Sequence, residues 1–154
     1  PLRPGFEMRG IDGGFVGQEW DSIGIDDEWS VVSQRPPTPD ELRDLRFAWR
    51  VAANTKSNAI VIAKSGQAVG IGAGDQSRVG ASERAVRQAG ERAAGGVAAS
   101  DAFFPFADGV EALAAVGVTA VVEPGGSKGD PAVIAAADAA NMALVFTGRR
   151  HFKH

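Results

Sequence analysis

An asparagine and an arginine, each next to a run of small or apolar residues, are the side chains best suited to hold a developing negative charge. Asn58 stands directly before the apolar run "AIVIA", and an amide in that position can donate to an oxyanion in a cleft. The segment "GIGAGDQSR" ends at Arg78, and glycines at a strand-to-helix junction let backbone amides meet an anion beside an arginine fork. Both features also have structural explanations: Asn58 as a turn or cap residue, and the glycines as a strand end packed on backbone.

Two glycine-rich segments fall short of nucleotide-binding fingerprints. Gly70, Gly72 and Gly74 lack the G-x-G-x-x-G spacing, and no βαβ unit with an acidic residue about 20 positions on follows them. The segment "EPGGSKGDP" lacks the G-x-x-x-x-G-K-[ST] spacing of a phosphate-binding loop. Most such segments are turns, so ligand binding there is the less favoured alternative.

The segment "SDAFFPFADG" concentrates aromatic residues where regular structure cannot form. Three of the chain's eight phenylalanines fall within four residues around Pro105, which interrupts both helices and strands. Two carboxylates, Asp101 and Asp108, bracket the cluster. The sequence therefore predicts a loop whose aromatic surface belongs to the core, to an interface or to a ligand site.

The chain lacks the residues for thiol chemistry and for the zinc site of a deaminase. The chain has no cysteine, which excludes disulfides, zinc–thiolate sites and a cysteine nucleophile. It also lacks the Cys/His ligands and the H-x-E of a zinc deaminase, which excludes that chemistry. Both histidines, His151 and His154, lie in the last four residues, directly after an apolar strand, which indicates a docked tail.

Composition limits the class of protein and its partners. With 154 residues, 44% hydrophobic and 23% charged, the chain is predicted to be a globular domain. The net charge of −3 and the lack of a basic run argue against nucleic-acid binding, and no apolar run reaches the roughly 20 residues of a membrane helix. The lack of cysteine fits a cytoplasmic protein. The start "PLRPGFEMRG" has no initiator Met and no signal-peptide pattern, so we expect a fragment of a longer polypeptide.

Periodicity and turn residues predict an α/β arrangement in three layers, a mixed sheet flanked by helices. The clearest helix start is "PTPDEL", in which Thr38 caps the helix and Glu41 completes a capping box. We divide the chain into an irregular segment over residues 1–37 and an α/β unit over residues 38–154. The predicted helices are 39–54, "SERAVRQAGERAA", 109–116 and "DPAVIAAADAANM" with Asp130 as its cap, and the predicted strands are 13–18, 29–33, 59–63, 68–72, "GVTAVVEPGG" and "ALVFTG".

Five segments, in the order "KSNAIV", "GIGAGDQSRV", "SDAFFPFADGV", "PGGS" and "FTGRRHFKH", resemble the C-terminal part of AICAR transformylase. This is the folate-dependent half of a bifunctional purine enzyme whose other half, IMP cyclohydrolase, is a hydrolase. The segments "IDGGFVGQEWD" and "VVSQRPPTPDELRDLRFAW" resemble the family's sequence ahead of these motifs, so the similarity covers nearly the whole chain.

The resemblance implies an activity, a fold and an assembly. The activity is transfer of a formyl group from 10-formyltetrahydrofolate to the 5-amino group of AICAR ribotide, in de novo purine (IMP) biosynthesis. The fold would be cytidine-deaminase-like but without a metal. The assembly would be a homodimer with active sites shared between the subunits.

The resemblance also assigns roles by position. Asn58 would bind AICAR and donate to the formyl oxygen as that oxygen becomes an oxyanion, while Arg78 and Arg150 would hold the nucleotide. Asp108 would accept hydrogen bonds from the amino edge of the pterin, beside an aromatic wall. The residues that match folate-contacting positions are Val79, Phe103, Pro105, Phe106, Asp108, Ser127 and Lys128.

The chain also departs from the family pattern. Asp75 stands where the family usually has Gln or a similar residue, and Ala107 where it often has Arg. The family's catalytic Lys–His pair belongs to an upstream segment, and His151 and His154 do not match it. We therefore expect these 154 residues to be inactive alone. The alternative is a non-catalytic folate- or nucleotide-binding or dimerisation module.

Overall fold

The computed structural model describes residues 5–19, 21 and 28–153. These residues form a two-stranded hairpin and a six-stranded mixed sheet with helices on both faces, which confirms the predicted α/β class. No helix within these ranges is long and apolar enough to span a bilayer. The strands are β1 (Phe6–Ile11), β2 (Gly14–Glu19), β3 (Ser30–Val31), β4 (Ile60–Lys64), β5 (Gln67–Gly72), β6 (Val97–Ser100), β7 (Ala120–Glu123) and β8 (Ala143–Phe146), and the helices are α1 (Pro39–Ala53), α2 (Arg78–Ala89), α3 (Asp108–Ala115) and α4 (Asp130–Ala139).

The direction of the strands brings several loops to one end of the main sheet. Its strand order is β3-β8-β7-β6-β4-β5. Strands β6, β7 and β8 run parallel, and β4 runs antiparallel to both of its neighbours, β6 and β5. The carboxyl ends of β5, β6, β7 and β8 therefore lie beside the amino end of β4. We call this end of the sheet the site rim.

The main sheet separates two apolar cores, because successive residues of a strand point to opposite faces. On one face, Ile60 and Ile62 of β4 are fully buried beneath α2, α3 and α4. On the other face, Val61 and Ala63 pack against α1, where the Trp49 side chain is also buried. Burial from both sides holds the strand ends at the site rim in fixed positions.

Helix α1 begins as the sequence predicts. The Thr38 hydroxyl accepts a hydrogen bond from the Glu41 N–H at 3.2 Å, and the Glu41 carboxylate accepts one from the Thr38 N–H at 2.7 Å. Arg35 donates to both oxygens of Glu41, each at 2.9 Å. The capping box is confirmed, and the helix ends at Ala53, one residue before the predicted end.

Gly70 and Gly72 lie where α2 approaches the backbone of β5. A Cβ atom at Gly70 would lie 2.2 Å from the Ala85 carbonyl oxygen, and one at Gly72 would lie 1.9 Å from the Ala81 carbonyl oxygen. These glycines are therefore explained by close backbone packing, the structural alternative that the sequence left open.

Several predicted boundaries change in the structure. Helix α2 begins at Arg78, four residues before "SERAVRQAGERAA", because the Ser77 hydroxyl accepts a hydrogen bond from the Gly80 N–H at 3.0 Å. It ends before Gly90, whose φ of 56° stops the α-helix. Strand β6 has no predicted counterpart, since Val97 is the one β-branched residue in its sequence "VAAS" and none is aromatic.

The hairpin of β1 and β2 presents an apolar face to solvent. The register pairs Met8 with Gly17 and Gly10 with Phe15, which places Phe6, Met8 and Phe15 on one face, and each of the three is more than half exposed. From the opposite face, the Gln18 side chain donates to the Phe152 carbonyl oxygen at 3.1 Å. The division of the chain into two units at residues 37 and 38 stays a prediction. Strand β3 lies in the first of these units and pairs with β8 of the second.

Candidate functional site

The elements place every predicted site residue at or near the site rim. Asn58 precedes β4, and the other predicted residues follow β5, β6, β7 or β8. In spatial order along the sheet, the rim carries Arg150 after β8, Ser127 and Lys128 after β7, Phe103, Pro105, Phe106 and Asp108 after β6, Asn58 before β4, and Arg78 and Val79 after β5.

Asn58 and Arg78 are joined directly. One guanidinium nitrogen of Arg78 donates to the Asn58 side-chain oxygen at 2.8 Å, and the Asn58 side-chain nitrogen donates to the Asp75 carbonyl oxygen at 2.9 Å. The peptide bond between Ser57 and Asn58 is cis. This network fixes the orientation of the amide, whose NH₂ group has two donors and uses one of them on Asp75. The second N–H makes no hydrogen bond to any other residue that the structure describes.

Asp101 supports this pair from inside the protein. Its Oδ1 atom accepts hydrogen bonds from the Arg78 guanidinium and, at 3.0 Å, from the Ala59 N–H. Its backbone oxygen accepts from the His151 N–H at 2.8 Å. Asp101 is fully buried, and its Oδ2 atom has no hydrogen-bond partner among the described residues. The sequence marked Asp101 only as a carboxylate bracketing the aromatic cluster, because β6, the strand that places it at the rim, was not predicted.

The segment after β8 is docked, as the sequence predicts, and His151 is fully buried. The His151 Nδ1 atom lies 2.7 Å from the Asp21 carboxylate, and the imidazole centroid lies 4.8 Å from the Trp49 ring centroid. Arg150 is exposed at the rim, with its guanidinium carbon 4.8 Å from the Phe152 ring centroid. His154 lies outside the described residues.

The aromatic cluster divides into a buried anchor and an exposed surface. Phe104 is fully buried in the core beneath α2 and α3, whereas Phe103 and Phe106 are 39% and 69% exposed. Pro105 is exposed between them. Asp108 is exposed at the start of α3, where one carboxylate oxygen accepts a hydrogen bond from the Gly109 N–H at 2.7 Å. The cluster therefore supplies aromatic surface and a carboxylate at the rim, as a ligand site requires.

Glu123 lies beneath this cluster and was not identified from the sequence. It ends β7 and is fully buried, and its Oε2 atom accepts a hydrogen bond from the Phe104 N–H at 2.9 Å. Its Oε1 atom has no hydrogen-bond partner within the described residues. Burial raises the pKa of the Glu123 carboxyl to about 7, because removal from water disfavours the charged form.

The loop after β7 touches the loop after β6. A Cβ atom at Gly129 would lie 2.3 Å from the Pro105 carbonyl oxygen, so the two backbones pack closely. The Asp130 carboxylate accepts from the Gly126 N–H at 2.8 Å and from the Ser127 N–H at 3.0 Å. These hydrogen bonds organise the loop that precedes α4. Asp130 is the first residue of α4 and Gly129 is its N-cap, so the prediction that Asp130 caps the helix is wrong.

The remaining predicted residues share the rim without direct contacts to the Asn58–Arg78 pair. Val79 is half-buried in the first turn of α2, and Lys128 is exposed. In the described part of the chain, no hydrogen bond joins Lys128 or Asp108 to that pair. The same residues contain no group of three or more His, Asp and Glu side chains placed to hold a metal ion.

Comparison with known proteins identifies relatives over the whole chain. The profile of the family described as "AICARFT/IMPCHase bienzyme" matches residues 2–88. Three relatives, each named bifunctional purine biosynthesis protein PurH, illustrate the similarity. The protein from Desulfitobacterium hafniense (strain DSM 10664 / DCB-2) is 54% identical over 155 residues, that from Chloroflexus aurantiacus is 55% identical over 153 residues, and that from Corynebacterium glutamicum (strain R) is 50% identical over 159 residues.

These matches cover 100%, 97% and 100% of the chain, in the same order, but only 30%, 30% and 31% of the relatives. The chain thus corresponds to about a third of the length of the proteins it resembles.

Proposed function

Because the chain belongs to the AICARFT/IMPCHase bienzyme family, we propose that it carries the AICAR and folate sites of the formyltransferase in purine biosynthesis. The reaction is transfer of the formyl group of 10-formyltetrahydrofolate to the 5-amino group of AICAR ribotide. The observation that carries the proposal is the hydrogen-bonded pair of Asn58 and Arg78, which lies on the same rim as the exposed aromatic cluster.

Asn58 is proposed to stabilise the oxyanion. The 5-amino nitrogen of AICAR attacks the formyl carbon, the carbonyl oxygen gains charge, and the bond from carbon to N10 of the folate then breaks. The second N–H of Asn58 donates to that oxygen, while Arg78 and Asp75 hold the amide in place. A donor fixed before the reaction does not have to reorient as the charge develops.

Arg78 and Arg150 are proposed to hold the nucleotide. Both terminal nitrogens of Arg78 donate, Nη1 to Asp101 and the Ala59 carbonyl oxygen and Nη2 to Asn58, so the guanidinium is preorganised. Its Nε–H and the second N–H of Nη2 make no hydrogen bond to the described residues, and we propose that they meet the ligand. Arg150 is exposed one residue before His151, which is tied to Asp101 by its backbone N–H. The backbone next to Arg150 is thereby linked to the residue that holds Arg78, which supports a shared anionic ligand.

The residues after β6 and β7 fit a folate. A pterin is flat with a polar edge, and the rim offers exposed Pro105 and Phe106 beside the exposed carboxylate of Asp108. Phe103, Val79, Ser127 and Lys128 lie at the same end of the sheet, where they would contact the rest of the molecule. 10-Formyltetrahydrofolate would act here as the formyl donor, and no catalytic metal takes part in the proposal.

Proton transfer is proposed to need groups from outside these 154 residues. The attacking amine loses a proton and N10 of the folate gains one, so the net reaction is redox-neutral. Among the predicted site residues, Asn58 and the two arginines cannot accept the amine proton at neutral pH. Since the chain spans about 30% of its relatives, we propose that the Lys–His pair and the IMP cyclohydrolase belong to the remainder of a longer polypeptide.

A homodimer with shared sites is also part of the proposal. Its support is the hairpin face of Phe6, Met8 and Phe15, which is apolar and exposed in the isolated chain. Apolar patches of this kind are often interaction surfaces. The same observation would favour a non-catalytic dimerisation module if transfer activity proved absent.

The proposed function is tested by AICAR-dependent release of tetrahydrofolate from a full-length polypeptide that contains these residues. Asn58→Ala should lower the rate by about 100-fold or more, as loss of an oxyanion donor does. Asn54→Ala, which removes an exposed amide at the end of α1, serves as the control. No turnover in a folded wild-type polypeptide would contradict the formyltransferase assignment and favour a binding module.

A further inference from the structure

Glu123 is a buried carboxyl group to which the proposed reaction gives no role. It is fully buried at the end of β7, and its two oxygens have different surroundings. Oε2 accepts the Phe104 N–H at 2.9 Å, and Oε1 has no partner among the described residues. A carboxyl group in this position is costly to bury, so packing alone does not explain it.

The contact from Glu123 acts on the residue that anchors the aromatic cluster. Phe104 has its ring in the core, and a Cβ atom at Gly109 would lie 2.6 Å from that ring, which shows how tightly the anchor is packed. The exposed residues Phe103, Pro105 and Phe106 lie on either side of Phe104 in the chain. Fixing the Phe104 backbone therefore sets the position of the whole exposed surface.

Glu123 also belongs to the strand that leads into the second folate loop. Its backbone oxygen accepts the Thr147 N–H at 2.9 Å, which ties β7 to the segment after β8. The loop that follows it contains Ser127 and Lys128 and packs on the Pro105 carbonyl through Gly129. Glu123 thus links, through its side chain and its place at the end of β7, the two loops whose residues are proposed to contact the folate.

We propose that Glu123 is a positioning residue of the folate site, whose carboxyl group fixes Phe104 and thereby the surface formed by Phe103, Pro105 and Phe106. The inference deepens the proposed function and rests on it. Glu123 acts through Phe104 and does not itself touch a ligand.

The surroundings of Glu123 make this role sensitive to pH. Burial raises the pKa of the carboxyl to about 7, the Phe104 N–H lowers it, and the Asp130 carboxylate raises it. The Gly125 N–H and the Arg78 guanidinium lower it further. Above pH 7 the carboxyl group loses its proton, and a buried charge with one unpartnered oxygen disfavours the packed position of the loop that carries Phe104. Folate affinity should therefore fall as the pH rises through 7.

The binding test compares the wild-type chain, Glu123→Gln and the control Glu111→Gln, which makes the same change at an exposed position on α3. The probe is 5-formyltetrahydrofolate, titrated calorimetrically at pH 6.5 and 8.5. Wild type and Glu111→Gln should bind about threefold more weakly at pH 8.5, below the limit of tenfold per pH unit for one proton. Glu123→Gln should lose that difference. The same pH dependence in Glu123→Gln would overturn the proposal.

A second measurement needs no ligand. In ¹⁵N-correlated NMR spectra, the Phe104 amide should titrate with a midpoint near pH 7 in wild type and Glu111→Gln, and should not titrate in Glu123→Gln. A Phe104 amide that is insensitive to pH in wild type would overturn the proposed contact.

If wild type binds no folate at either pH, the proposed function fails for this chain and the folate role of Glu123 fails with it. The Phe104 titration would then still decide whether Glu123 fixes the loop.

Discussion

Asp101 pairs with Arg78 inside the protein, where the side chains retain 1% and 6% of their exposure. The same Asp101 oxygen accepts the Ala59 N–H, so one atom holds both the guanidinium and the backbone next to Asn58. Arg78 in turn donates to Asn58. The orientation of Asn58, the proposed oxyanion donor, therefore depends on the Asp101 carboxylate, to which it is linked through Arg78 by two successive hydrogen bonds.

Asp101→Asn should destabilise the protein by about 3–5 kcal/mol, because the Arg78 charge would remain buried without its partner. Urea unfolding followed by tryptophan fluorescence measures the loss. Asp40→Asn is the matched control, since Asp40 pairs with Arg43 at 2.9 Å on the surface, where a pair contributes about 0–1 kcal/mol. Equal, small losses in both variants would show that the Asp101 carboxylate does not balance the Arg78 charge.

Glu123→Gln should make the protein more stable than wild type above pH 7. The carboxyl titrates at about 7 when folded against a reference value of 4.5, so the folded state holds an extra proton between these pH values. Wild-type stability should fall across that window, by about 3 kcal/mol in total. Unfolding free energies measured from pH 4 to 8 should diverge between the two proteins from about pH 4.5 upward. Parallel curves would contradict the raised pKa.

Gly72→Ala should destabilise the fold by about 1–3 kcal/mol, since the new methyl group would force α2 away from β5. The added Cβ would lie 1.9 Å from the Ala81 carbonyl oxygen. Gly17→Ala in β2 has no atom within 4 Å of the added Cβ and should stay within about 0.5 kcal/mol of wild type. The midpoints of urea unfolding distinguish the two variants. An unfolding free energy for Gly72→Ala equal to that of wild type would mean that α2 packs loosely on β5.

Asp108→Ala should weaken binding of 5-formyltetrahydrofolate by about tenfold or more, as expected for loss of a hydrogen bond to a charged group. Binding of AICAR ribotide should be unchanged, because no hydrogen bond in the described residues links Asp108 to Asn58 or Arg78. Calorimetric titration with each ligand measures both affinities, and Glu111→Ala on the same helix is the control. Equal losses for the two ligands would refute the proposed division of the rim.

The sequence predicted those parts of the fold that are determined by residues close together in the chain. Thr38 and Glu41 mark the start of α1 because a capping box needs only neighbouring residues. Pro105 places the aromatic cluster in a loop for an equally local reason. Strand β6 escaped prediction because its alanines become a strand only through pairing with β4 and β7.

The residues of the candidate site also fall into two groups, those found from the sequence and those that only the fold reveals. Asn58 and Arg78 were marked as candidates by their chemistry and their neighbours and given roles by a family resemblance, and the structure adds that they are hydrogen-bonded. Asp101 and Glu123 act on backbone N–H groups 42 and 19 residues away in the chain. A single sequence gives no sign of which distant amide a carboxylate will meet, so these two residues required the fold.

The contact between His151 and Asp21 joins segments 130 residues apart in the sequence. Closing so long a loop has an entropic cost that grows slowly with length but must be met before the contact stabilises anything. Contacts of this range slow folding and tend to form after local ones. The helices and the β4–β5 hairpin can therefore form first, and the rim segment that carries Arg150 docks late. Binding competence should then appear as the last kinetic phase of refolding, after most secondary structure is in place.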